Sequence, residues 1–336
     1  MDNLSHSLIC RHIFRAQDLV DAYPPQLHDA NKKIVYKIAC PTGCTHNGQL
    51  VFSRWSAMPL PQVLFPSKYQ TNLDEREDYF GYEPSQDSTQ LEWYLNFAHY
   101  DLFCAYGGPL FAQDEMQVAE HPALGSLREA LLDKDIKPLT VENGQPTPIL
   151  IRGVERRCAI ATDNNPQQGR PYGLYGNNFA RAPLDAIKQA TQPLNPPTIT
   201  NIIAMEAPSE GYGSYKLEEI EYILTTAFTG FLAARIESQL ELGQQASVLI
   251  HTGFWGCGAY GGNRILMALL QLLAARLSQV NCLIFHTGGF AGNEALAEAQ
   301  RILDQFLVSN DLEVRVPHLI EEIYRMEFQW GVSDGN

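Results

Sequence analysis

The amino-acid sequence predicts a layered α/β protein, and three observations predict it. One stretch, residues 246–286, reads as strand, glycine-dense loop, helix and strand, the text of a parallel crossover. Short apolar runs alternate with helical periods through the rest of the chain, which argues for helices packed on a sheet. The composition, 336 residues of which 45% are hydrophobic and 18% charged, provides enough apolar matter for one large domain or two small ones.

In chain order, Ile34-Val35-Tyr36-Lys37-Ile38 is predicted as a strand from its β-branched run. Cys40, Cys44 and His46 lie close in sequence. Their spacing lacks a paired CxxC, and no second pair of ligands is visible, so the reading here is a Pro41-Thr42-Gly43 turn and no metal. Residues 59–85, rich in proline, tyrosine and acids, read as an ordered loop. Arg54 and Trp55 either line a cleft or pack behind one. Residues 1–90 are therefore expected to be an accessory region, with the principal domain at 91–336.

From Leu91 the text changes. Trp93–Ala98 is a predicted strand, and Tyr106-Gly107-Gly108-Pro109 a turn. Asp114 and Glu115 follow it at a helix start. Neighbours on a helix point in different directions, so the two carboxyls either take different chemical jobs or simply complement the helix dipole. Ile149–Ile151 is a strand. Arg170–Phe179 is an aromatic loop whose tyrosines either stack on a base or close a core edge. Thr198–Ala204 is a strand, Ser214 a candidate cap for a helix over 215–236, and 294–308 another helix. Leu312–Val316 and a short helix near 321–325 end the chain.

The glycine loop carries the most specific text: Thr252-Gly253-Phe254-Trp255-Gly256-Cys257-Gly258-Ala259-Tyr260-Gly261-Gly262-Asn263. Glycines allow positive φ and close approach, so successive N–H groups can converge on an anion at the next helix's N-terminus. The alternative is a purely structural turn. No Gly-Lys-Ser/Thr follows, which excludes a Walker loop, and the glycine spacing is not that of a dinucleotide fingerprint. The net charge of −14 argues against a broad nucleic-acid surface, so a phosphate must be held locally by backbone donors. Met1–Cys10 is polar, the longest apolar stretch is too short to span a bilayer, and the seven scattered cysteines suit reduced thiols. A cytoplasmic protein that engages no membrane is the expectation.

Four blocks in order, over about 91–290, resemble the poly(ADP-ribose) glycohydrolase family of the macrodomain superfamily. They are Asn96-Phe97-Ala98-His99, Gly107-Gly108 with Gln113-Asp114-Glu115, Tyr172-Gly173-Leu174-Tyr175 with Phe179, and Thr252–Gly262. The resemblance implies a macrodomain-like three-layer α/β/α sandwich with a mixed central sheet and an N-terminal extension. It implies a glycohydrolase that frees ADP-ribose from poly(ADP-ribose) or an ADP-ribosylated protein. Glu115 takes the role of acid/base, with Asp114 beside it. Asn96, His99, Gly107, Gly108 and Gln113 surround the reacting ribose, Asp114 and His99 holding its hydroxyls. Tyr172, Tyr175 and Phe179 form the adenine side. Thr252, Gly253, Trp255, Gly256, Cys257, Gly258, Ala259 and Gly261 make the diphosphate loop, and Tyr260 packs on the ribose. No cofactor and no metal are implied. The sequence differs from the family pattern at the missing third glycine, the short Gly108-to-Gln113 spacing, Asp114 for Glu, His99 for Asn and Asn263 for Asp. The alternative reading is a macrodomain module that binds ADP-ribose without cleaving it.

Overall fold

The computed structural model describes residues 7–66, 70–83, 85, 87–209, 211–308 and 313–333. The first third of the chain forms β1 (Leu8–Arg15), α1 (Ala16–Ala22), α2 (Ala30–Ala39), β2 (Gln49–Trp55), β3 (Val63–Leu64), β4 (Asn72–Arg76) and β5 (Gln90–Phe97). The middle forms α3 (Gln113–Glu120), α4 (Ala123–Asp133), β6 (Val141–Glu142), β7 (Gln145–Pro146), β8 (Ile149–Ile160), α5 (Asn178–Arg181), α6 (Leu184–Ala190) and β9 (Thr191–Met205). The last third forms α7 (Leu217–Leu242), β10 (Ser247–Thr252), α8 (Arg264–Ser278), β11 (Cys282–His286), α9 (Phe290–Val308), β12 (Val314–Arg315) and α10 (Val316–Arg325).

Eight strands make one mixed sheet in the order β1-β2-β8-β9-β5-β10-β11-β4. The β1, β2, β8 and β9 neighbours are antiparallel, and from β9 to β4 every pairing is parallel. Strand side chains alternate between faces, and the two cores follow that alternation. Trp93 and Leu95 of β5, with Ile203 and Met205 of β9, face α7, α8, α9 and α10. Tyr94, Ile202 and Ala204 face the other way, onto α1, α3 and α4. A third cluster joins α2, α5 and α6 to the far end of β8 through Val35, Phe179, Ile187 and Cys158. The result is the expected α/β/α sandwich. Full burial of chains such as Trp93, Phe231 and Leu269 contributes roughly 1.5–3 kcal/mol each.

The crossover unit forms as read: β10 pairs in parallel with both β5 and β11, and α8 joins β10 to β11. Asn263 caps α8, its Oδ1 accepting from the amides of Ile265 and Leu266, both at 3.1 Å.

Several local expectations are corrected. The 34–38 run lies inside α2, not in a strand. Asp29 caps that helix, accepting from the amides of Asn31 and Lys32, and Asn31, Val35 and Ala39 fall four apart on its buried face. Packing at that period overrides the β preference of Ile and Val. The 59–85 segment contains β3 and β4. The long helix begins at Leu217, where Glu219 accepts from the Lys216 amide at 2.7 Å, and Ser214 instead bridges to Gln329. Leu312 lies outside the described residues. Arg54 and Trp55 are buried, Arg54 donating to the Leu139 carbonyl, Glu142 and Thr147.

The first ninety residues supply β1, β2 and β4, which form both edges of the main sheet. The division expected at residue 90 therefore does not separate two sheets. Among the described residues, no helix is long and apolar enough to cross a membrane.

Candidate active site

The parallel strands β9, β5, β10 and β11 release the chain at one end of the sheet, where open α/β sheets form their ligand crevice. Two constructions meet there.

The first grows from β5 and the start of α3. Gln113 accepts from the Phe97 amide at 2.8 Å and donates to the Leu95 carbonyl at 2.9 Å. Its amide thus pins the first turn of α3 to the end of β5. Asn96, fully buried, donates from Nδ2 to Asp114 Oδ1 at 3.1 Å and to Gln117 Oε1 at 2.9 Å. Glu115 Oε2 accepts from the Ala112 amide at 3.0 Å, across the free N-terminal end of the helix. The adjacent carboxyls consequently point at different partners. Asp114 is 7% exposed and Glu115 4%. Burial first, then the neighbouring Glu115 charge, push the Asp114 carboxyl up to about 8, against the pull of the Asn96 hydrogen bond, Lys32 and Arg128. Asp114 therefore holds a proton near neutrality.

The loop before α3 is fixed by its backbone. Gly107 accepts at its carbonyl from the amides of His28 and Asp29, at 2.8 and 3.0 Å. A Cβ there would stand 2.2 Å from the Gln26 carbonyl oxygen, so only glycine fits. The Gly108 amide donates to the Ala105 carbonyl at 3.0 Å. His99 Nδ1 accepts from the Asp101 amide at 3.2 Å, and its ring lies against Tyr100.

The second construction is the glycine loop between β10 and α8. Its own hydrogen bonds use the amides of Trp255, Cys257, Gly261 and Gly262. Among the described residues, the amides of Gly256, Gly258, Ala259 and Tyr260 take no partner within the chain, leaving donors for an anion. Gly256 has φ of +75°, and a Cβ on it would meet Ala207 at 2.5 Å. Thr252 is buried against Gln271, whose Nε2 donates to the Gly253 carbonyl at 3.0 Å. Trp255 is a core residue, its indole N–H donating to the Met205 carbonyl at 3.0 Å. Cys257 is half-buried.

Tyr260 ties the two constructions together. Its hydroxyl lies 3.4 Å from Glu206 Oε1, and the Asp114 carboxyl is among its electrostatic neighbours. Glu206, one residue past β9, also senses His99, and burial raises its carboxyl above the ordinary range. Sequence reading missed Glu206, a single acid directly after the apolar run that ends at Met205; the strand-end position before a loop was the available signal. It also missed Lys32, whose Nζ donates to the Tyr106 carbonyl at 2.7 Å and faces Glu115 and Asp114. Burial lowers that amine to about 8. The misread strand at 34–38 hid it.

The tyrosine segment divides. Phe179 is fully buried and stacks on Phe111, with centroids 3.8 Å apart. Tyr172 and Tyr175 are exposed. The Gly176 amide donates to the Phe111 carbonyl at 2.9 Å, which fastens this segment beside the entry to α3. As to metals, the ligand atoms of Cys40, Cys44 and His46, outside this crevice, lie within 4.8 Å of one another.

Residues 164–295 match the family model described as poly(ADP-ribose) glycohydrolase (PARG), macro domain fold. The match takes in the tyrosine segment, β9, the glycine loop and α8, and begins after Glu115. Among solved structures the chain is similar to poly(ADP-ribose) glycohydrolase from Thermomonospora curvata, at 15% identity and a TM-score of 0.44, covering 89% of this chain and 88% of that one. It is similar to poly(ADP-ribose) glycohydrolase from Deinococcus radiodurans in complex with ADP-ribose, at 15% identity and a TM-score of 0.41, covering 91% and 99%. An Oceanobacillus iheyensis macrodomain is similar at 11% identity and a TM-score of 0.37, covering 65% and 89%.

Proposed function

We infer that this chain, whose residues 164–295 match the poly(ADP-ribose) glycohydrolase family model, is a divergent hydrolase of that kind and releases ADP-ribose from poly(ADP-ribose) or from ADP-ribosylated protein. The observation that carries the reading is the meeting of the buried Asp114–Glu115 pair with the donor-rich glycine loop at the ends of adjacent parallel strands.

The loop amides of Gly256, Gly258, Ala259 and Tyr260 suit a diphosphate, and the N-terminus of α8 adds its dipole. Tyr260 covers the ribose that follows. Glu115 gives a proton to the glycosidic oxygen as the ribose C1–O bond breaks and positive charge grows on the sugar. It then takes a proton from the water that adds to C1. The products are free ADP-ribose and the alcohol or acid it had modified. The adjacent Asp114 and Glu115 carboxyls together retain one proton near neutrality, which Glu115 delivers to the leaving oxygen and regains from the water, while Asp114 holds a ribose hydroxyl. Glu206 accepts from a hydroxyl at the opposite rim.

One observation favours a second reading. Gln113 commits its amide to Leu95 and Phe97, and the loop before it is short, so the reacting end differs from the family pattern more than the loop does. A reader that holds ADP-ribose without cleaving it would use the glycine loop alone. Incubation of the protein with poly(ADP-ribose) and with mono-ADP-ribosylated protein separates the two. Free ADP-ribose is expected from at least one. Calorimetric binding of ADP-ribose with no release from either would establish the reader instead.

A further inference from the structure

We propose that Cys40, Cys44 and His46 form a zinc site, separate from the ADP-ribose crevice, that clamps the C-terminal end of α2. The sequence spacing argues against a metal, since it contains no paired CxxC. The fold supplies what the spacing lacks.

Cys40 is the first residue past α2, its amide donating to the Tyr36 carbonyl at 2.7 Å. The Cys44 amide returns to the Pro41 carbonyl at 2.9 Å, with Gly43 at a φ of +82°. This tight turn brings both sulfurs to one side. His46 Nε2 lies 3.7 Å from Cys40 Sγ, and the three candidate ligand atoms all lie within 4.8 Å of one another. Zinc takes sulfur at about 2.3 Å and imidazole nitrogen at about 2.0–2.1 Å, which makes tetrahedral edges of roughly 3.5–3.8 Å. One pair already sits at that separation, and the rest need small side-chain rotations.

The surroundings are those of a held ligand set. Glu155 Oε2 stands 3.4 Å from His46 Nδ1, while Glu155 Oε1 accepts from the Asn47 amide at 3.0 Å. A carboxylate thus stands behind Nδ1 while Nε2 faces the thiols, the side on which metal-bound histidines keep their outer partners. Arg157, two residues along β8 on the same face, donates to the Ala39 and Thr45 carbonyls, each at 3.0 Å, and pairs with Glu155. It therefore staples both ends of the ligand-bearing turn. His46, Glu155 and Arg157 are all buried, whereas both cysteines are half-exposed. Three protein ligands with an opening to solvent leave the fourth position to water. Thiolates with imidazole select zinc over magnesium or calcium. The site lies at the opposite end of α2 from Asp29, which grips the Gly107 loop, so the metal would fix the helix that carries Lys32.

The test uses the full chain, purified under a non-thiol reductant without chelator. Metal analysis is expected to show one zinc per chain. Replacing it with cobalt should produce an intense thiolate charge-transfer band and tetrahedral d–d bands. Cys40→Ser and Cys44→Ser should each weaken cobalt affinity at least about tenfold, Glu155→Gln by roughly 10–100-fold, and Cys282→Ser not at all. Zinc should raise the thermal midpoint of the wild type but not of the Cys40→Ser/Cys44→Ser double variant. Folded, reduced wild type that yields no charge-transfer band would overturn the site, and this readout requires no variant to fold. Survival of the band in the double variant would overturn it as well, as would a Cys40–Cys44 disulfide that persists under reductant. None of these outcomes depends on glycohydrolase activity.

Discussion

Asp114 and Glu115 are neighbours in sequence, yet the first turn of α3 separates their roles. Asp114 is held by Asn96 and pushed up by burial and by the Glu115 charge, and Glu115 spans the helix end to Ala112. Activity should accordingly fall on the alkaline side with an apparent pKa near 8, where the Asp114–Glu115 pair loses the proton that Glu115 must deliver. In Asp114→Asn that limb should move to lower pH in a pH–rate profile, because Glu115 then has no carboxylate neighbour helping to hold its proton. The stability sign also follows. A carboxyl raised in the folded state binds protons that the unfolded chain has released, so its contribution is complete below the ordinary value near 3.8 and is lost as pH climbs through 8. Asp114→Asn should be more stable than wild type at pH 8, and the difference should shrink by pH 4. Equal pH slopes for the two proteins in denaturant melts would refute this. Both carboxyls were legible in the sequence because they follow a Gly-Gly turn at a helix start. Glu206 and Lys32 were not, since only the tertiary fold brings residues so distant in sequence to the same crevice.

Among elements, the β10–loop–α8 unit was the most legible. Its signals are local: an apolar run, glycines, an Asn cap and a helical period. The loop's detail was less so. Trp255 and Thr252 read as ligand contacts and turn out to be buried anchors beneath it, because a loop that presents amides outward must fasten its side chains inward. Gly262 shows how tightly it is wound, since a Cβ there would stand 2.7 Å from the Gly256 carbonyl oxygen that its own amide already bonds. Gly262→Ala should therefore displace the loop amides and weaken ADP-ribose binding at least tenfold, with a modest fall in thermal midpoint. Unchanged calorimetric affinity would remove the loop from the binding site. The reverse error at α2 has the same physical source. Local β preference pointed to a strand at 34–38, and burial at helical spacing decided otherwise.

At the scale of the whole molecule, sheet order is where sequence reading stopped. The parallel half was visible as alternating strands and helices. The antiparallel half, built from β1, β2, β8 and β9, rests on pairings between residues distant in sequence, such as Phe52 with Ile151 and Ile149 with Ala204, and no local period encodes them. Those pairings yield a prediction. A chain begun at residue 90 would lose β1, β2 and β4, exposing β8 and β11 as raw edges and opening the core around Leu50 and Phe52. It should be insoluble or lack a cooperative thermal transition. A soluble, cooperatively folding fragment would show instead that the first ninety residues are an appendage. The crevice itself is assembled from both halves, since the start of α2 holds the Gly107 loop and β5 and β10 lead into the candidate site residues.

We propose that Glu115 transfers the proton in ADP-ribose release. The most direct measurement compares wild type with Glu115→Gln, following free ADP-ribose from poly(ADP-ribose) and ADP-ribose affinity in parallel. Glutamine can still accept from the Ala112 amide, so the helix start should survive. Glu115→Gln should lose roughly 10²–10⁴-fold in rate, with affinity and thermal midpoint nearly unchanged. Retained turnover, or a fall in rate matched by unfolding, would contradict it and return Glu115 to the role of a helix-start acid.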